Sequence, residues 1–550
     1  MTKEAPNAVT TTIDALESAA DSYGDRVFIV DERRELSFKQ LEMSVRAAAA
    51  GLMQGGFGPS DHAAIWGPNS ADWIIAALAI QYVGGTLVTL NTRYKPSEAA
   101  AIIRASRSKV VFSVDRFLDT DYLTQLMSED CGANERFISL PGCSAEDTVL
   151  ARAVQNEHMI GDGTFSINEL IALGEQTLTE ESAGIALSQA RARVTAQTPS
   201  DILFTSGTTG TPKGVITHHG QNIRAFTEFG AILGLDVTDR YLIINPFFHS
   251  FGYKAGWLVS LLMGTTIFPM PIFDVDRVID MIEIHKISVM PGPPTLFQSI
   301  LQHPKLDPQR LEALKKATTG AAVIPTQLIV DMQSVLGIDT VLTAYGLSES
   351  SGLVTICRQG DAPDLIATTS GRAIPDVEVA IMAADGSLLP PEETGEIVVR
   401  GFNVMQGYLD NPAATAETVD NEGWLHTGDI GILDAQGNLR ITDRLKDMYI
   451  SGGFNCYPAE IENQLLAHPE IAQVAVTGAP DERMGEVGAA FYVPTEGSQP
   501  SSEALTTWSR KHMANYKVPR YFIPMAKLPL NASGKVLKTE LRKQLNSLIG

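Results

Sequence analysis

The sequence predicts an α/β protein: a large N-terminal region of two α/β sheet subdomains and a small β-barrel-like subdomain, then a smaller α+β C-terminal domain. Three observations carry this. Strand, helix and strand alternate from residue 27 to 114 and again from 241 to 345, and the strands are apolar throughout, as strands covered by helices on both faces must be. From Gly371 to Thr442 the texture changes to short alternating strands with turns at Asp385-Gly386 and Gln436-Gly437. At 550 residues and 44% hydrophobic, the chain is too long for one core. The expected units are 1–443 and 444–550.

In order, an opening helix (Thr12 to Ser22) precedes a strand at Val27 to Val30. Ser37 and Gln40 form a capping box for a helix that Gly55 and Gly56 stop. His62 to Trp66, a helix capped by Ser70, and TLVTL after Gly84-Gly85 continue the rhythm, followed by a helix from Pro96 and a strand at Val110 to Val114. From Asp119 to about Pro199 polar residues rise and the pattern weakens, so irregular surface structure is expected there. The alternation resumes with Tyr241 to Ile244, the helix Val275 to His285, the strand Ile287 to Met290 and a helix opened by PGPPT. KATTGAAVIP and VLTAYGLSESSG are strands that empty into Gly-rich turns, where open α/β sheets bind ligands. Beyond Asp443 come a helix from Pro458, strands at Val474 to Val476 and Ala489 to Val493, and a helix from Ser502.

A net charge of −22 repels phosphodiester backbones, so nucleic acid is excluded as a partner. The four cysteines, Cys131, Cys143, Cys357 and Cys456, have no metal-ligand spacing and are too sparse for a disulfide framework. The N-terminus lacks the apolar core of an export signal, and a cytoplasmic location is expected. In the most apolar run, Trp257 to Phe273, Gly264, Pro269 and Pro271 break a membrane-length helix into a short helix and a strand, so no stable membrane insertion is expected. Nothing in the sequence fixes an oligomeric state.

The densest local chemistry is DILFTSGTTGTPKGVITHH, Asp201 to His219: strand, glycine-rich turn, strand. Glycines let backbone N–H groups approach phosphate oxygens, the hydroxyls of Ser206, Thr208 and Thr209 add donors, and Lys213 adds positive charge. The spacing is not that of a Walker loop. Counting from Gly207 puts Pro212 at the second glycine and Gly214 where Ser or Thr must hold magnesium.

TSGTTGTPKG, TGAA, YGLSE, GWLHTGD, DRLKDMYISGGFN and NASGK occur in that order along essentially the whole chain. Together they resemble the signatures of the adenylate-forming enzymes, the superfamily of acyl-CoA synthetases, peptide-synthetase adenylation domains and firefly luciferases. The resemblance implies attack of a carboxylate on the α-phosphate of ATP to give an acyl-adenylate and pyrophosphate. A thiol, usually that of coenzyme A, then displaces AMP.

It also implies roles for residues. Thr205, Ser206, Gly207, Thr208, Thr209, Gly210 and Lys213 would hold the β- and γ-phosphates, with Thr208 and Glu349 at magnesium. Gly320, Ala321 and Ala322 would form the adenine platform, with Tyr345 stacked on it and Gly346 beside it; core packing alone explains the alanines equally well. Asp429 and Arg444 would hold the ribose through charged hydrogen bonds. Lys446 falls on the hinge, Lys535 resembles the catalytic lysine, and Gly452 and Gly453 resemble the glycines beside the pantetheine tunnel. Read without the family, Lys535 is a solvated charge in a basic tail. Ser348 stands where the family commonly has Thr, and its hydroxyl keeps an α-phosphate contact available.

His249 in PFFHSFG occupies the place where amino-acid-activating relatives carry an Asp for the ammonium group. A plain carboxylic acid is therefore expected, with His249 as a gate between ATP and acyl pocket, or as a packed core histidine. NPFFHSFGYKAG, VMPGPPTLFQSIL and DRLKDMYISGGFNCYPAEIE look most like ligases that activate the bicyclic indanedione propionate of bacterial steroid degradation. The alternatives are a medium- or long-chain fatty acid CoA ligase, an acyl-AMP ligase loading a separate carrier protein, a luciferase-like oxygenase, and a non-catalytic nucleotide sensor. The last should have lost Lys535 or Glu349, and both are present.

Overall fold

The computed structural model describes residues 9–132, 136–142, 165–205, 212–320, 324–444, 447–451, 454–456, 458–481, 484–513, 515–531 and 535–549. Two large mixed sheets form the N-terminal region. The nine-stranded sheet runs from Arg372–Ala373 through Thr355–Ile356, Thr340–Tyr345, Lys316–Thr319, Val289–Pro291, Arg240–Ile243, Thr266–Pro269 and Val27–Val30 to Glu35–Ser37. Its six central strands are parallel, and antiparallel strands close both ends. The eight-stranded sheet runs from Gly407–Tyr408 through Lys213–His218, Pro199–Thr205, Thr86–Thr89, His62–Trp66, Ser108–Val114 and Arg136–Leu140 to Phe165–Ser166.

The apolar strands do what their composition demands. Thr86–Thr89 is buried along its whole length, and every residue of the helix Ala71–Tyr82 is buried between the sheets. That helix is capped by the Ser70 hydroxyl, which accepts the N–H of Trp73, and the capping box at Ser37 and Gln40 is formed as its spacing predicts.

A four-stranded antiparallel sheet follows, ordered Val377–Met382, Gly395–Gly401, Leu425–Leu433 and Leu439–Arg444. The C-terminal unit is a five-stranded sheet built on the long hairpin Ile471–Asp481 and Gly485–Pro494, with the helices Pro458–Leu466, Ser502–His512 and Lys538–Ile549. It has two small cores of its own, one around Tyr449, Ile461 and Leu465, the other around Phe491, Leu541 and Leu545.

The expectation of irregular structure from Asp119 to Pro199 is corrected. Among the described residues, that segment forms the helices Tyr122–Met127, Ile167–Thr177 and Glu181–Ala192 and two strands of the eight-stranded sheet. Its polar residues face water, while Ile167, Leu170 and Gly174 pack on the helix Phe38–Gln54; a Cβ on Gly174 would meet the Ala47 carbonyl oxygen at 1.7 Å. Arg191 anchors the last of these helices to Asp14 and Glu17. Among the described residues, no helix is long and apolar enough to cross a membrane.

Candidate active site

Among the described residues, the expected site positions lie at strand ends and in the turns that follow them. Thr205 ends one strand and Lys213 opens the next, paired antiparallel, with the Thr205 hydroxyl 3.5 Å from the Lys213 carbonyl oxygen. Ser206, Gly207, Thr208, Thr209 and Gly210, between them, lie outside the described residues. The strand pair is fixed from below by a buried polar network. Asp201 accepts hydrogen bonds from Ser200 (2.7 Å), Asn222 (2.7 Å) and Thr217 (2.9 Å), and Nζ of Lys254 lies 3.1 Å from its Oδ1. A carboxylate and an ammonium can both stay buried here because each is paired and hydrogen-bonded.

On the nucleotide side, Tyr345 closes the strand Thr340–Tyr345 and donates its phenolic hydrogen to Oδ2 of Asp429 at 2.7 Å. Asp429 is nearly buried in the strand Leu425–Leu433, opposite Arg444 in the next strand. Only the backbone of Arg444 is described, and Ala321 and Ala322 are not described at all. Gly320 follows its strand with φ +155, and Gly346 lies so close to the returning chain that a Cβ would meet the Gly352 carbonyl oxygen at 2.4 Å. The 3-10 turn Ser348–Ser350 follows directly.

Ser348 is half-buried, and its hydroxyl has no hydrogen-bond partner among the described residues. Oε1 of Glu349 accepts the hydroxyl of Tyr408 at 2.9 Å, and its backbone carbonyl accepts the N–H of Met405 at 2.8 Å. Burial, and then the Glu349 charge, raise the Tyr408 pKa, so the phenol stays a neutral donor. Among the described residues no group of three or more His, Cys, Asp or Glu could hold a metal ion by itself. A magnesium ion held on a polyphosphate needs only one or two protein oxygens, and Glu349 offers Oε2. The residues present therefore fit such an ion.

His249 caps a short helical turn, and its Nδ1 accepts the N–H of Phe251 at 3.2 Å. The ring has solvent-accessible surface, but that surface lies deep among protein atoms. Desolvation, and then the positive charge of Lys535, push the imidazole down to about 4. It is therefore neutral at physiological pH, with its proton on Nε2. Lys535 is held to Asn531 by two hydrogen bonds, from Asn531 N–H to the Lys535 carbonyl at 2.7 Å and from Lys535 N–H to Oδ1 of Asn531 at 2.8 Å.

Among the described residues, contacts link Thr205 to Lys213, Lys213 and Glu349 to Tyr408, and Tyr345 to Asp429, and the charge of Lys535 acts on His249. Lys446, Gly452 and Gly453 lie outside the described residues. Sequence reasoning missed three contributors. Asn69 is buried and clamps the segment before His249: its Nδ2 lies 3.0 Å from the Asn245 carbonyl oxygen, and its Oδ1 accepts the N–H of Phe247 at 2.8 Å. The pair Asp201–Lys254 was signalled only by two charges in otherwise apolar runs. Tyr408 carried no signal beyond a Gly-Tyr dipeptide. The aromatic rings near His249 also divide. Phe247, Tyr253 and Trp257 are fully buried core around Trp73, whereas Phe248 and Phe251 are half-buried.

Residues 16–409 match the model of the AMP-binding enzyme family, and residues 460–535 match that of the AMP-binding enzyme C-terminal domain. The chain is 45% identical over 538 residues to a 3-[(3aS,4S,7aS)-7a-methyl-1,5-dioxo-octahydro-1H-inden-4-yl]propanoyl:CoA ligase of Rhodococcus jostii, with 97% of this chain and 99% of that protein covered. A Mycobacterium tuberculosis protein of the same name is 43% identical, with 98% and 99% covered. In fold, the crystal structure of the anthranilate CoA ligase AuaEII in complex with anthranoyl-AMP superposes with a TM-score of 0.84 at 23% identity, covering 98% of both chains.

Proposed function

The chain belongs to the AMP-binding enzyme family and is an ATP-dependent acid–thiol ligase, and on that premise we propose that it activates a bicyclic, steroid-derived propionate as its CoA thioester. Identity of 45% over nearly the full length of a ligase named for that acid is the observation that carries this reading. The neutral His249 supports it, because an imidazole without charge offers an amino acid's ammonium group no counter-ion.

In the first half-reaction a carboxylate oxygen attacks the α-phosphorus of ATP, and the bond to the β-phosphate breaks with release of pyrophosphate. Two anions must approach, so positive charge around the reacting oxygens is the main requirement. Lys213 lies on the pyrophosphate side, and Lys535 on the side of the carboxylate and α-phosphate. Glu349 would hold the magnesium ion, which supplies further charge neutralisation when bound. Asp429 accepts from the ribose hydroxyls, oriented by Tyr345. Lys535 acts through its charge on His249, which donates from Nε2 at the gate to the acyl pocket. In the second half-reaction the CoA sulfur attacks the acyl carbon and the bond to AMP breaks.

The units are 1–443 and 444–550, with Lys446 at the start of the second as the hinge, and the enzyme works in the cytoplasm. Pyrophosphate release measured over a panel of acids tests the substrate. The indanedione propionate should give the highest kcat/KM, linear fatty acids less, and amino acids no response. A panel in which amino acids respond and alicyclic acids do not removes the reading.

A further inference from the structure

Tyr408 belongs to none of the expected site positions, yet it touches two of them. Its strand, Gly407–Tyr408, forms the edge of the eight-stranded sheet beside Lys213–His218, with Val215 opposite Tyr408 and Ile216 opposite Gly407. The backbone of this segment is fixed on both sides. Leu409 N–H donates to the Gly214 carbonyl at 2.8 Å, Gln406 N–H to Ile216 at 3.0 Å, and Met405 N–H to Glu349 at 2.8 Å. The Tyr408 N–H is held by the Thr415 hydroxyl at 2.9 Å.

From this anchored position one side chain serves two charges of opposite sign. The hydroxyl donates to Oε1 of Glu349 at 2.9 Å, and the ring face carries Nζ of Lys213 at 4.9 Å from its centroid. Glu349 belongs to a turn after a strand of the nine-stranded sheet, Lys213 to the eight-stranded sheet, so the tyrosine spans the cleft between the two. A donor on Oε1 stops rotation of the carboxylate and leaves Oε2 presented to the cleft. The ring fixes the ammonium without neutralising it, as a carboxylate would.

We propose that Tyr408 is a positioning residue for the polyphosphate end of the site: its hydroxyl orients the Glu349 carboxylate toward a divalent cation and its ring holds the Lys213 ammonium at the phosphates. The proposal rests on the reading of Glu349 as the residue that holds magnesium. Two variants separate the two tasks. Tyr408→Phe deletes the hydroxyl and keeps the ring, whereas Tyr408→Leu deletes both.

The test is Mn2+ affinity of the full-length enzyme with ATP, read by electron paramagnetic resonance, alongside metal-free ATP affinity read by calorimetry. Tyr408→Phe should weaken Mn2+ binding on the order of tenfold, the share of one hydrogen bond to a charged group, and leave metal-free ATP affinity unchanged. Tyr408→Leu should weaken Mn2+ binding as much and weaken metal-free ATP binding as well. A purely structural tyrosine would instead lower the melting temperature with both affinities intact in the folded fraction, and that result overturns the proposal. Glu349→Gln is the control. If it weakens Mn2+ binding while Tyr408→Phe does not, the proposal fails and Glu349 keeps its role. If neither changes Mn2+ binding, the assignment of Glu349 fails and the proposal with it.

Discussion

Nζ of Lys254 lies 3.1 Å from Oδ1 of Asp201, and neither side chain reaches solvent. Asp201 lies in the strand that feeds the glycine-rich turn, and Lys254 in the π-helical turn Tyr253–Leu258, just after His249. The ion pair therefore ties the strand that leads into the glycine-rich turn to the segment that follows His249. Desolvation lowers the lysine pKa and the Asp201 charge opposes it, so the ammonium depends on its partner. Lys254→Met should cost about 3–5 kcal/mol, because it leaves a buried carboxylate without its counter-charge. The double variant Asp201→Asn, Lys254→Met should regain most of that. Urea melts of the three proteins check this, and a single variant no less stable than the double one would contradict it.

The contact between Tyr345 and Asp429 predicts a change in substrate affinity. Tyr345→Phe keeps a ring that can lie against adenine but removes the hydrogen bond that fixes the carboxylate. KM for ATP should rise severalfold with kcat little changed, since the ribose does not react. Asp429→Asn should raise it further, by roughly tenfold or more, because a charged acceptor is lost. Steady-state kinetics at varied ATP distinguish this from a catalytic role, in which kcat would fall instead.

Stability should depend on pH through His219, which is fully buried with Nδ1 2.9 Å from the Thr12 hydroxyl. Desolvation pushes its pKa down to about 4. The unfolded chain therefore binds the proton more tightly than the folded one. The histidine's contribution is complete above its ordinary value near 6.5 and is lost as pH falls toward 4, by about 3 kcal/mol in all. His249, shifted in the same direction, loses stability over the same window. The measurement is therefore the difference between the wild type and His219→Gln at pH 7.5 and pH 4. Parallel loss in both proteins would place the pH sensitivity elsewhere.

The elements that sequence made legible are those where one local rule dominates. The helix at Val275 needed only its cap and its apolar face, and it runs Val275–His285 as expected. The segment after Asp119 was not legible, because its helices are polar on three sides and hold their place through single apolar rows and Gly174. At the site, motifs revealed Glu349, Asp429 and Tyr345, the last as a stacking ring and not as the donor to Asp429, and they did not reveal Tyr408. The hydroxyl of Tyr408 reaches Glu349 across 59 positions of sequence and that of Tyr345 reaches Asp429 across 84, separations at which no periodicity carries a signal.

The position of Lys535 leads to a prediction about motion. Its charge acts on His249, which places the lysine at the cleft, where adenylation needs it. Thiol attack needs a path to the same acyl carbon, and the resemblance puts Gly452 and Gly453 beside that path, in the same C-terminal unit. If one unit presents only one of these faces at a time, it turns between the half-reactions, and the resemblance puts the hinge of that turn at Lys446. Lys535→Ala should lower acyl-adenylate formation on the order of a hundredfold or more, as loss of a transition-state cation does. It should spare CoA transfer from supplied acyl-adenylate. Lys446→Pro, which fixes φ and removes an N–H, should do the opposite. Single-turnover assays of each half-reaction read the two effects separately, and equal slowing of both halves by Lys535→Ala would rule out alternation of the C-terminal unit.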